Sequence, residues 1–162
     1  MTPDVRVANL AAKQHRVAAW RQLRKCGLGP AAIRHRAERG RLHPIHRGVY
    51  AVGHRDIGRT GSLMAAVLAC GKRAVLSHIT AAVLWNLIRS SSAAIHVTVP
   101  RSKKPRFDGV TVHLTRRLPD ADRAEVDGIP VTSVARTLLD LATLLTQSQL
   151  IRDEVAARGR LR

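Results

Sequence analysis

Ten side chains in the first third of this chain have the types and spacing to hold a polyanion. They are Arg21, Arg24 and Lys25, then Arg34, His35, Arg36 and Arg39, then Arg41, His46 and Arg47. Arginine presents a planar fork of donors that matches a phosphate or the acceptor edge of guanine, whereas lysine is a point charge. The chain uses 23 Arg to 5 Lys, and its formal net charge is +17. Residues 1–59 hold 13 basic and 3 acidic side chains against 15 and 8 in residues 60–162, so the first third is the more basic per residue. Such a density calls for a polyanionic partner or an acidic protein surface.

Other chemistries are poorly served. Ser77 and His78 are adjacent, but no acid stands close in sequence to orient the imidazole, and no G-x-S-x-G elbow is present. Ser77 reads instead as a helix N-cap with His78 in the first turn. His43, His46 and His113 match no zinc spacing, the acids form no D…ExK arrangement, and no glycine-rich phosphate loop occurs. Cys26 and Cys70 read as small buried thiols in a reducing compartment. The sequence thus reads as non-enzymatic, with no cofactor and no metal. With no apolar run of membrane length and no signal peptide, it reads as cytoplasmic. Aromatic content of 2% leaves a core of Ala, Leu and Val and argues against single-stranded nucleic-acid platforms, which stack bases on rings; RNA stays open as a partner, behind DNA.

The elements that must position the cations follow from periodicity. Val7, Leu10 and Ala11 predict a first helix over Val5–Gln14, and a short link with a one-pair strand near Val17 follows. Ala19–Cys26 reads as a second helix with Ala19, Trp20 and Leu23 on its apolar side. Gly27 suits a left-handed helix end, Leu28 plugs the core, and Gly29 and Pro30 restart the chain as N-cap and first helical residue. In the next helix Ile33 and Ala37 face inward, Arg34, His35 and Glu38 face solvent, Arg36 and Arg39 flank, and Gly40 ends it. A hairpin over Arg41–Val52 reverses at Arg47-Gly48, with Pro44 confining its strand to an edge. Helix, turn, helix, hairpin is the order of a winged helix-turn-helix. In that layout Arg34 and His35 reach bases, Arg36 and Arg39 reach phosphates, Arg41, His46 and Arg47 arm the wing, and Arg21, Arg24 and Lys25 lie across the backbone of double-stranded DNA.

The loop at residues 53–58 marks a boundary, giving a winged helix-turn-helix DNA-binding domain at 1–55 and a small mixed α/β lobe at 59–162, α+β in class. The lobe reads as a helix over Arg59–Cys70 and a helix over His78–Leu87 capped by Ser77. Strands follow at Ile95–Val99 and Val110–Thr115, joined as a hairpin through a basic loop with Arg101, Lys103, Lys104 and Arg106. Next come a loop over Leu118–Val126 with room for a turn of helix, a short strand over Gly128–Val131 and a helix over Val134–Leu145 capped by Thr132 or Ser133. That helix has an apolar stripe of Val134, Leu138, Leu141 and Leu145. A last helix is predicted over Gln147–Arg158.

Four runs in order, GRLHPIHRGVYAVG, VLACGKRAVLSHITAAVLWNL, IHVTVP and DGIPVTSVARTLLDLA, resemble the AbiEi family, antitoxins of type IV (abortive-infection) toxin–antitoxin systems. The likeness extends from about Val7 to about Val155. It implies an N-terminal winged helix-turn-helix that binds promoter DNA and represses its own operon, with a homodimer on DNA left open. It also implies a second lobe that counters a nucleotidyltransferase toxin without touching it. The sequence departs where relatives usually carry a Thr or Ser N-cap, with Ala18-Ala19 before the second helix and Gly29 before the third. Many relatives carry a further nuclease-like domain of the very-short-patch-repair kind; the sequence ends at Arg162, where that domain would begin, and no nuclease role is carried over. Two other readings stay open: a truncated relative of that nuclease family retaining its DNA-binding half, and a basic module that docks an acidic protein.

Overall fold

The structure, a computed structural model, describes residues 1–90, 92–100 and 104–144. Helix α1 (Pro3–Lys13) opens on Thr2, whose hydroxyl accepts from the Val5 N–H, with Pro3 in the first turn. The left-handed pair His15 and Arg16 then turns the chain into strand β1 (Val17–Ala19). Helix α2 (Trp20–Lys25) follows without a break. Its N-cap, Ala19, has no capping side chain, and only the return half of a capping box is made, the Gln22 Oε1 accepting from the Ala19 N–H at 2.8 Å. Gln22 also exchanges amide hydrogen bonds with Gln14 at 3.1 and 2.7 Å, which ties the end of α1 to α2.

Gly27 takes φ +96°, which a side chain would resist, and Leu28 drops into the core at 3% exposure. Helix α3 (Pro30–Glu38) then starts on Gly29 and Pro30. Strands β2 (Leu42–His46) and β3 (Val49–Val52) form the hairpin, and β3 is central in the three-stranded order β1-β3-β2. Pro44 thus lies on an edge, where its missing N–H costs no ladder bond. Val7, Ala18, Leu23, Cys26, Leu28, Ile33 and Leu42 make one buried cluster beneath the three helices. This is a winged helix-turn-helix in which β1 adds a third strand.

The rest of the described chain is a five-stranded mixed sheet with helices. Helix α4 (Gly58–Cys70) leads through Gly71 to β4 (Val75–Leu76) and α5 (His78–Leu84). Strands β5 (Ile95–Val99), β6 (Val110–Leu114), β7 (Arg123–Val126) and β8 (Ile129–Thr132) follow, in the order β6-β5-β4-β8-β7. A helix, α6, runs from residue 134 to the end of the described chain at 144. Ile95, Val97, Val99, Val112, Ile129 and Val131 share one buried cluster with α4 residues Leu63 to Val67. Val17 and Val49 of the first sheet belong to the same cluster, so α4 is a common spine. The loop at residues 53–58 divides the chain without dividing this core.

Several expectations are corrected here. Strands β5 and β6 pair in parallel, Val97 opposite Val112, and are not a hairpin. Alternation marks a strand but carries no direction, because parallel and antiparallel neighbours bury the same alternate residues. The Asp108-Gly109 turn is real, but it reverses only Phe107 onto Val110, so the chain enters β6 running the same way as β5. The segment read as loop before Val126 contains β7, joined to β8 through Asp127 and Gly128 at φ +50° and +76°. That Asp-Gly pair is the hairpin signal the sequence carried. Helix α5 ends at Leu84, and Ser77 makes no capping bond. Trp20, placed on the apolar side of α2, is 42% exposed. Of the predicted stripe of α6, Val134 and Leu138 point outward at 40% and 53% exposure, while Leu141 is half-buried. Thr137 and Asp140 face in, because the sheet face they meet is itself polar. Leu145 and the helix predicted over Gln147–Arg158 lie outside the described residues.

Candidate nucleic-acid interface

Helix α3 presents Arg34, His35 and Arg39 to solvent, all exposed, while Ile33 anchors its inner side at 2% exposure. Glu38 is the one acid beside them. Arg21, Arg24 and Lys25 are exposed on α2. Arg24 is partly engaged, with Nη1 donating to the Leu28 carbonyl at 3.3 Å and its guanidinium 5.6 Å from the Trp20 ring centroid. Arg41 is exposed at the base of the hairpin, its backbone fixed between the Arg36 carbonyl (2.8 Å) and the Gly53 N–H (2.9 Å). Arg47 is exposed at the turn.

Two of the ten side chains are occupied elsewhere. Arg36 turns back across α3, with Nε and Nη2 donating to Asp4 Oδ1 at 3.2 and 2.8 Å and Nη1 to the Ala32 carbonyl. It straps α3 to α1. His46 lies edge-on to Phe107, centroids 5.6 Å apart, and burial holds its pKa below the ordinary value although Asp108 opposes this. The wing tip is therefore not a free ribbon. Ile45 and Phe107 both pack on the shared core, and the ladder slips register between Pro44 and His46.

A second polar assembly lies on the sheet face away from α4. His78 stacks on His113 with centroids 3.6 Å apart, and His96 Nδ1 is 2.9 Å from His113 Nε2. Thr98 Oγ1 donates to Ser77 Oγ at 2.7 Å, and Ser77 Oγ is 2.9 Å from His78 Nδ1. From α6, Arg136 donates to Asp140 Oδ1 at 2.9 Å and to Asp122 at 2.8 Å, while the buried Asp140 Oδ2, 3.9 Å from His78 Nδ1, has no hydrogen-bond partner among the described residues. His78 itself is held at φ +52°. Burial first, then His96 and Arg136, pushes its pKa down to about 4. Burial, with His78, His96 and Lys104 added, outweighs Asp140 and brings His113 to about 4.

Ser77 and Asp140 approach the same imidazole nitrogen, so these groups do not form a nucleophile–base–orienter relay, which needs one partner on each nitrogen. Among the described residues no group of three or more His, Cys, Asp or Glu is arranged to hold a metal ion. The network corrects the reading of Ser77 as a cap: its hydroxyl belongs to Thr98 and His78. The signal for it was the polar half of IHVTV and VTVHL, which puts His96, Thr98 and His113 on one face of adjacent strands.

Among the described residues no helix is long and apolar enough to cross a membrane. The family described as transcriptional regulator, AbiEi antitoxin, matches residues 5–53, the helices and hairpin that carry the exposed cations. The AbiEi antitoxin C-terminal domain matches residues 73–157, which takes in the mixed sheet and its histidines. No curated protein matches the chain. The second match alone spans more than half of the 162 residues, the first adds the regulator's helices ahead of it, and the chain belongs to the AbiEi antitoxin family of transcriptional regulators.

Proposed function

We propose that this antitoxin binds double-stranded DNA upstream of its own operon and represses it. The observation that carries the reading is the exposed row Arg34, His35 and Arg39 on α3, flanked by exposed Arg21 and Lys25 on α2 and Arg41 and Arg47 on the hairpin. In a winged helix-turn-helix the second helix of the pair enters the major groove and the first crosses the backbone. Arg34 and His35 then read base edges, Arg39 and the α2 cations hold phosphates, and Arg41 and Arg47 work from the wing. Arg36 and His46 act by holding α3 and the wing in place. Residues 1–55 serve as the operator-binding unit, and residues 59–162 serve as the antitoxin unit of a type IV pair, acting on the toxin's effect without contact.

The test is fluorescence anisotropy of the protein's own upstream DNA against a scrambled duplex at low and near-physiological salt. The expected result is a preference that persists at the higher salt. Equal binding that vanishes with salt reduces the interaction to counterion release by the +17 charge and overturns the reading.

A further inference from the structure

The aromatic residues of this chain are few and unevenly placed. It has one Tyr, one Phe and two Trp. Tyr50 and Phe107, the only residues of their kinds, line one cleft between the hairpin and the turn that enters β6. Gly48, another lining residue, is held from outside the cleft, its carbonyl accepting from the Trp20 backbone N–H at 2.8 Å. The cleft has a volume of about 550 Å³, and Arg47, Arg106, His46 and Asp108 also line it. Two of the four aromatic side chains thus gather where two guanidiniums also stand.

Each lining group restricts the ligand. Two arginines against one carboxylate select an anion, and their forks suit phosphate oxygens. Tyr50 and Phe107 are both half-buried, offering ring surface for stacking. The burial that keeps the His46 pKa low leaves a neutral imidazole, which stacks and hydrogen-bonds without adding charge. The Asp108 carboxylate only accepts, so it favours a ring that carries N–H donors. The register slip at Pro44/His46 re-aims the hairpin edge beside this cleft, as bulges do next to binding sites. The volume falls within the usual range for small-ligand pockets, and the place, between two lobes, is where such pockets form.

We infer that this cleft binds a nucleoside phosphate, with the base against Tyr50 and Phe107 and the phosphate between Arg47 and Arg106. The same chemistry has two sources, a free nucleotide and an unpaired nucleotide of a nucleic acid. The site goes beyond operator binding: Phe107 and Arg106 lie outside the set of residues assigned to the duplex, so the two readings fail separately.

The experiment is isothermal titration calorimetry of the full chain with AMP, GMP, CMP and UMP, with inorganic phosphate, and with a short duplex bearing a three-nucleotide overhang against its blunt counterpart. Arg106→Ala and Phe107→Leu are titrated alongside, and operator binding of both variants is measured by anisotropy as a check on folding. Saturable binding of a mononucleotide that both variants weaken about fivefold or more, with operator affinity retained, is the expected result. Binding confined to the overhang, with the same loss in both variants, supports the site and makes nucleic acid the source. Phosphate binding as well as any nucleotide means charge alone is at work and overturns the inference. So does nucleotide binding that neither variant changes, or the absence of binding to every ligand at millimolar concentration.

Discussion

His78 lies face to face with His113, ring centroids 3.6 Å apart and 17° from parallel, with His96 hydrogen-bonded at the far edge of the stack. Three imidazoles on a buried sheet face are stable only while neutral, since a second proton would set like charges in stacked rings. Burial leads the causes that bring His78 and His113 down to about 4. In the unfolded chain both titrate near 6.5. Between those values the unfolded state binds more protons, so this contribution to stability is complete above about pH 6.5 and is lost as pH falls toward about 4. The urea midpoint should fall steadily between pH 7 and pH 4.5, and His113→Phe, which keeps a ring in the stack, should flatten that slope. A midpoint independent of pH across the window would show that the cluster does not govern acid stability.

Among the described residues Arg136 is the only one whose side chain hydrogen-bonds the Asp140 carboxylate, and it holds Asp122 with its other end. Asp140 is 7% exposed and its Oδ2 already lacks a hydrogen-bond partner among the described residues. Arg136→Ala would strand a buried carboxylate, which in comparable pairs costs about 3 kcal/mol or more. The double variant Arg136→Leu with Asp140→Leu removes both charges and should recover most of the loss. Chemical denaturation of the two variants and the parent checks this; equal destabilisation of single and double variants would mean that packing, and not the pair, is what was lost.

Gly61 sits where α4 crosses the chain between the lobes. A Cβ there would stand 2.6 Å from Ile57 Cβ and 2.9 Å from the His15 carbonyl oxygen. Neither neighbour is the free end of a flexible side chain, so α4 must move away. Gly61→Ala should gain helix propensity of up to about 1 kcal/mol and lose about 1–3 kcal/mol to overpacking, a net destabilisation. An unchanged or raised melting temperature would show that the two lobes adjust to each other without cost.

The N-terminal elements were legible because local rules and tertiary demand agree there. Gly27, Leu28, Gly29 and Pro30 each do in the structure what their chemistry suggests, and Gly48 turns the hairpin at φ +75°. The second lobe was harder. Its pairing directions depend on which segment crosses which face, and alternation in IHVTV and VTVHL is silent on that. The outward turn of α6 was hidden for a related reason: a helix stripe reads as inward only when the surface it meets is apolar. Here that surface carries Thr132, His96 and His113. Leu138→Ser tests this directly. A core leucine would cost about 2–5 kcal/mol on truncation, whereas a residue that is 53% exposed should shift stability by less than about 1 kcal/mol. A loss of core size would place Leu138 inside.

Arg34 and Arg36 stand two positions apart on the same short helix and divide the work between them. Arg36, on the flank, is engaged with Asp4 and the Ala32 carbonyl, so its fork is already used. Arg34 is exposed. If α3 reads the operator, Arg34→Ala should cost about 1–3 kcal/mol on the operator and much less on a scrambled duplex. The slope of affinity with salt should stay nearly unchanged, because a base contact releases no phosphate counterion. Arg39→Ala, by contrast, should weaken both duplexes alike and reduce that slope by about one. Arg36→Ala should leave the slope unchanged as well, but lower stability by under about 1 kcal/mol, the scale of a partly exposed ion pair. Anisotropy titrations at four salt concentrations separate the three. An Arg34→Ala variant that loses the scrambled duplex as much as the operator would make Arg34 a phosphate contact, and base reading would then have to come from His35 or from the wing.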